Sequence, residues 1–165
     1  MIKIIEYSNN YIEDVKNLLV ELQNYIVNID DEKIQKLKNE YKEKYFDLTY
    51  SKIKKYSGKI FLAQENNNIV GLIAGIIEEK DEEDKLTNSC PKRGKILELI
   101  ITKQSRGKHI GNQLLNAIET YFISLNCDYV SIDVFAPNQN ALKFYTKEGY
   151  KERNIEIIKK LKEHT

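Results

Sequence analysis

A mixed α/β domain, built on one mostly antiparallel sheet with helices on its faces, is the fold class this sequence predicts. Three observations lead there. Apolar residues switch between period two and helical spacing in the order strand, two helices, three strands, helix, strand, helix, strand. Only 2 Pro and 7 Gly punctuate 165 residues, with no low-complexity linker and no repeat, so a single domain over 1–165 is expected. Hydrophobic residues at 41% and charged residues at 31% suit a folded chain that buries about 70% of its unfolded surface.

Taken in order, Ile2 to Tyr7 reads as a first strand. Tyr11, Ile12, Val15, Leu18, Leu19, Leu22, Tyr25 and Ile26 recur at helical spacing and predict a helix over 10–27. Asp30 or Asp31 is placed to cap a second helix over 31–46, with Glu32–Lys36 and Glu40–Lys44 as i,i+4 pairs; a further helical turn follows at 49–56. Lys59 to Glu65 and Ile69 to Glu78 flank Asn66-Asn67-Asn68, a hairpin signal. A charged loop leads to Gly94–Thr102, the longest strand-like run, and then to the polar, glycine-containing turn 104–111. Ile110, Leu114, Leu115, Ile118, Phe122 and Leu125 mark a strong helix. Tyr129 to Phe135 predicts a strand, Asn138 to Lys147 a short helix and Ile155 to Leu161 a last strand.

Composition excludes several function classes. With 26 Lys and Arg against 25 Asp and Glu, the net charge of +1 offers no bulk attraction to nucleic acid or to an anionic membrane. No apolar run approaches a membrane span, and the N-terminus lacks a signal-peptide shape. Two cysteines, Cys90 and Cys127, make neither a disulfide framework nor a zinc spacing, so a cytoplasmic setting without a metal is expected. Neither cysteine has a recognisable activating partner. His164, next to the C-terminus, is expected to be disordered. The charge is nonetheless segregated. Glu78 to Asp84 carries a local −5, and Lys92 to Lys108 a local +5.

The turn 104–111 runs from a strand into a helix N-terminus, where free N–H groups and the dipole favour an anion. Gly107 and Gly111 let the backbone approach it, while Arg106 and Lys108 add charge; a phosphate or pyrophosphate fits. An ordinary polar turn at a helix start has the same residues. No Gly-Lys-Ser/Thr makes it a P-loop, and the dinucleotide spacing is absent. In Asn138-Gln-Asn-Ala-Leu-Lys-Phe-Tyr145-Thr-Lys-Glu-Gly149-Tyr150, Asn138 is placed to cap the helix and Gly149 to end it in the left-handed region. Tyr145 alone reads as a packing residue.

Together, Leu-Glu-Leu-Ile-Ile, then Arg106-Gly-Lys-His-Ile-Gly111 opening a helix, then Asn138-x-x-Ala-x-x-Phe-Tyr145 and Gly-Tyr150 resemble the GNAT superfamily of N-acetyltransferases. The likeness is sharpest over about 94–150, the acetyl-CoA-binding core, with the helices at about 10–57 on the acceptor side. His109 departs from the pattern, standing where the family's pyrophosphate loop has its middle glycine. The resemblance implies acetyl-CoA as co-substrate, its pantetheine along Leu99, Ile100 and Ile101. Its pyrophosphate would lie on the backbone of Arg106, Gly107, Lys108, His109, Ile110 and Gly111. Asn138 is implied near the sulfur, and Tyr145 as the acid that protonates the CoA thiolate.

Glu98 is the candidate base, lying on the strand beside that edge; a strand glutamate equally serves as a solvent-facing or lysine-paired side chain. The implied reaction is transfer of acetyl to a primary amine of a small molecule or peptide. A catalytically silent CoA-binding or regulatory module of the same fold is the alternative. The acidic run 78–84 is either a lip for a cationic acceptor or a solvated loop, and the tyrosine-rich N-terminal helices resemble the family's acceptor region. Homodimers are common in the family; the chain itself selects no oligomeric state.

Overall fold

Residues 1–162 are described by a computed structural model of the chain, in which they fall into two compact units, 1–133 and 134 onward. His164 lies outside the described residues. The first unit holds the whole sheet: β1 (Ile2–Glu6), β2 (Lys59–Glu65), β3 (Asn68–Ile77), β4 (Arg93–Ile101) and β5 (Tyr129–Ile132), side by side in that order. The first three pairings are antiparallel and β4–β5 is parallel. This is the expected mixed, mostly antiparallel class. Asn66 and Asn67 both take positive φ between the paired Glu65 and Asn68, so the β2–β3 hairpin closes on the two-residue turn its asparagines favour.

Helices α1 (Ile12–Ile29) and α2 (Tyr41–Lys55) cover one face of the sheet, and α4 (Ile110–Ser124) the other. Alternation along β3 shows this division. Leu72, Ala74 and Ile76 join the core with Val15, Leu18, Leu19 and Phe46, whereas the glycines at 71 and 75 back onto Leu114, Ile118 and Phe122. Buried Lys16 of α1 bonds Glu43 of α2 and lies over the Phe46 ring, tying the two helices together. No described helix is long and apolar enough to cross a membrane.

The expected helix over 31–46 is corrected: residues 31–40 are irregular and α2 begins at Tyr41. Asp30 does not cap a helix there. Its buried carboxylate accepts the N–H groups of Glu32 (3.2 Å) and Gln35 (2.6 Å), folding the chain into a loop. Gln23 of α1 fixes that loop by donating to the Gln35 side chain and to the Lys36 carbonyl. Glu32 and Lys36 therefore do not face each other across a helical turn. Part of the charged loop folds as a short helix α3 (Glu82–Thr87), capped by Asp81.

The second unit contains α5 (Gln139–Lys147). The expected strand at 155–161 is corrected too. Residues 151–162 have no regular structure, and Ile155, Ile157, Ile158 and Leu161 are exposed. Their β-type alternation supplies strand propensity, but a strand also needs a pairing partner. The strand expected over 129–135 ends at Ile132.

Candidate active site

Strand β5 pairs with β4 only from Arg93↔Tyr129 to Ile96↔Ile132. Beyond Ile96, the edge of β4 turned away from β3 has no strand beside it among the described residues, as far as Ile101. That bare edge carries Leu99, Ile100 and Ile101.

A bulge falls at the same place. Gly75 pairs with Ile96 and Ala74 with Glu98, leaving Leu97 as the extra residue. Side-chain parity flips there. Gly94 backs onto Phe122 on the α4 side, whereas Glu98 is turned to the side of α1 and α2. A regular strand would send positions 94, 96 and 98 to one face.

Glu98 is 9% exposed and accepts a hydrogen bond from the Tyr45 hydroxyl of α2. Tyr41, one helical turn earlier, stacks on Tyr45 with ring centroids 4.6 Å apart. Burial pushes the Glu98 carboxyl up to about 7, against the opposing effects of the Tyr45 hydroxyl and the Lys52 charge. Burial, reinforced by the charge of Glu98, also raises Tyr45 and Tyr41 far above the ordinary phenol range, so both stay protonated and Tyr45 remains a donor. From the sequence, these tyrosines belong only to the helices that resemble the acceptor region. Their i,i+4 spacing was visible, but the partner on β4 was not.

At the far end of β4, a 3-10 turn (Lys103–Ser105) leads through Arg106 to Gly107 (φ +80°) and His109 (φ +58°), after which α4 begins. Left-handed residues just before a helix are a backbone arrangement able to present N–H groups to an anion at the positive end of the dipole. His109, the α4 N-cap, takes the left-handed conformation that explains a glycine preference at its position. The basic side chains brace this loop. Lys108 bridges Glu65 at 2.8 Å, and Ser105 donates to the same carboxylate. Arg106 lies over the Tyr25 ring, and its Nε donates to the Ile101 carbonyl (3.1 Å). The Lys108 hydrogen bond holds Glu65 below the usual carboxylate range.

In the second unit, Asn138 caps α5 as expected, its Oδ1 accepting the Ala141 N–H at 3.2 Å. Gly149 (φ +91°) ends the helix. Tyr150 N–H bonds the Tyr145 carbonyl, Gly149 N–H bonds that of Thr146, and the Tyr145 and Tyr150 rings meet at 5.3 Å, which together form a Schellman motif. Tyr145 is buried and held between Phe144 and Tyr150. Asn138 and Tyr145 thus share one short helix, while Glu98, the bare edge and the loop share the first unit. Burial raises the Cys127 thiol, the reverse of activation. Among the described residues no cluster of three or more His, Cys, Asp or Glu is arranged to hold a metal ion.

Residues 25–150 match the acetyltransferase (GNAT) family. An uncharacterized N-acetyltransferase of Methanocaldococcus jannaschii is 29% identical over 101 residues, which is 61% of this chain and 57% of that relative, so the match spans less than two thirds of the relative's length. A solved structure from Pyrococcus furiosus, named as an acetyl transferase, superposes with a TM-score of 0.75 at 23% identity, covering 98% of this chain and 100% of that one. AAC(6')-Iy, solved with the bisubstrate analogue CoA-S-monomethyl-acetylneamine, gives 0.72 at 12% identity, covering 98% and 99%. The family match extends over most of the chain, strands β2 to β5 and the loop before α4 included, and this protein belongs to the acetyltransferase (GNAT) family.

Proposed function

We propose that this protein transfers the acetyl group of acetyl-CoA to a primary amine of a small molecule or peptide. The observation that carries this reading is the bare β4 edge running into the left-handed loop at the start of α4. A strand edge receives an extended, amide-bearing chain through main-chain hydrogen bonds, and such a loop receives a pyrophosphate. Acetyl-CoA has both parts, so the residues present fit it. When bound, it supplies the activated acetyl thioester.

Leu99, Ile100 and Ile101 orient the pantetheine through their main chain. The backbone from Arg106 through Gly107, Lys108, His109 and Ile110 to Gly111 holds the pyrophosphate. Asn138 contributes at the sulfur end, beyond its capping bond to Ala141. As the amine nitrogen bonds to the carbonyl carbon and the C–S bond breaks, Glu98 takes a proton from nitrogen and Tyr145 gives its hydroxyl proton to sulfur. An acetamide and the CoA thiol leave, and exchange with solvent restores both side chains. A carboxyl pushed to about 7 by burial is suited to this work, because an ordinary carboxylate is too weak a base for an ammonium.

Thiol release from acetyl-CoA across a panel of amines tests the reading. Activity is expected, with kcat/KM falling below about pH 7 as Glu98 takes up its proton. Glu98→Gln and Tyr145→Phe are each expected to lower kcat by about 10²-fold or more, and Arg106→Glu to raise the KM for acetyl-CoA. Acetyl-CoA binding without thiol release from any amine identifies the silent CoA-binding module instead.

A further inference from the structure

The loop 31–40 and the first turns of α2 border an open surface depression of ≈ 550 Å³. Lys36, Lys38, Lys44, Tyr41 and Tyr45 are among the residues that line it. Glu40 is the one acid of its lining, so the wall carries a net positive charge. Other lysines nearby are engaged: Lys16 and Lys42 pair with Glu13, and Lys54 lies over the Tyr50 ring. Among the described residues, none of the three lining lysines has a carboxylate within ion-pair distance.

The loop that presents them is built rather than slack. Buried Asp30 holds its first turn, and Gln23 holds the Lys36 carbonyl. Tyr45 links the depression to the base, since it lines the one and donates to Glu98.

We infer that this depression is the acceptor site and that its acceptor carries an anionic group, a phosphate or a carboxylate, at the end remote from the reacting amine. Lys36, Lys38 and Lys44 bind the anion, the rings of Tyr41 and Tyr45 pack along the body, and the amine lies toward Glu98. Three cations on one wall disfavour a second ammonium, so a polyamine is a poor acceptor. The acidic run 78–84 belongs elsewhere: it precedes β4, and Asp81 and Glu82 of that run are engaged in capping α3 and pairing with Lys85. The inference rests on the acetyltransferase reading for its chemistry and on the lysine-lined depression for its selectivity.

The test uses amines of one spacer length that end in hydroxyl, carboxylate, phosphate or a second ammonium. Their kcat/KM is measured with the wild-type protein and with the Lys36→Glu/Lys38→Glu/Lys44→Glu variant, whose exposed substitutions leave the core intact. The wild-type protein is expected to prefer the phosphate- or carboxylate-ended amine over the hydroxyl-ended one by at least 10-fold, with the ammonium-ended amine last. The two anionic arms separate phosphate from carboxylate. In the variant the preference is expected to disappear or reverse.

Equal rates for all four amines, or a preference unchanged in the variant, overturns the inference while leaving acetyl transfer standing. Calorimetric binding of the phosphate-ended amine, alone and with acetyl-CoA, covers the remaining case. If acetyl-CoA does not bind, the acetyltransferase reading fails by itself, and saturable phosphate-amine binding lost in the variant still upholds the anion site. Equal binding by both proteins contradicts it.

Discussion

Glu98 carries a tension between stability and chemistry. Its carboxyl is buried, raised to about 7, and held by the Tyr45 hydroxyl. The folded protein therefore retains a proton on Glu98 at pH values where the unfolded chain has lost it. Below the unfolded carboxyl's range both states are protonated and ionisation of Glu98 makes no difference to stability. As pH rises through about 7 the folded state has to ionise a buried group, and stability falls. Glu98→Gln removes that titration. Relative to wild type, the variant is expected to gain up to about 3 kcal/mol between pH 4 and pH 8. Urea denaturation of both proteins at the two pH values measures the gain, and an unchanged difference rules out a buried, raised Glu98. The same substitution is expected to lower kcat, so one residue separates the stability effect from the catalytic one.

At the scale of elements, the loop before α4 and the bulge in β4 decide the most. His109 holds a left-handed N-cap conformation that costs a side-chain-bearing residue about 1 kcal/mol. His109→Gly is expected to raise the thermal midpoint slightly and to leave the KM for acetyl-CoA within about threefold, since backbone N–H groups are the proposed pyrophosphate contacts. A large rise in KM would mean that the imidazole itself contacts the phosphates.

Such local chemistry was legible in the sequence: the Asn66-Asn67 turn, the Asn138 cap and the Gly149 terminus each follow from residues within a few positions. The helix expected over 31–46 failed because its i,i+4 charge pattern competes with Asp30, which captures the Gln35 N–H, and with Gln23 from another helix. The strand expected over 155–161 failed because propensity names no partner. The bulge at Leu97 leaves no mark in Leu-Glu-Leu-Ile-Ile, yet it turns Glu98 toward Tyr45. Glu98 was therefore legible as a candidate, and its partner was not.

Across the whole molecule, the sheet positions these parts by packing. Phe122 of α4 sits over the glycines at 75 and 94, and a Cβ at either meets its ring, at 2.7 Å for Gly75. Gly94→Ala is expected to cost about 1–3 kcal/mol through overpacking, read as a lower thermal midpoint; an unchanged midpoint shows that α4 can shift away. The +1 total charge conceals an acidic run before β4, a basic stretch through the loop and a lysine-lined depression at α2. Local fields of this kind act on a single charged small molecule even where the total charge is near zero. The most direct test of the central claim is steady-state thiol release from acetyl-CoA with an amine acceptor, wild type against Tyr145→Phe, with acetyl-CoA binding measured alongside. The expected result is equal acetyl-CoA binding by the two proteins and turnover at least about 10²-fold lower in the variant; equal turnover, or binding with no thiol release from any amine, would contradict it.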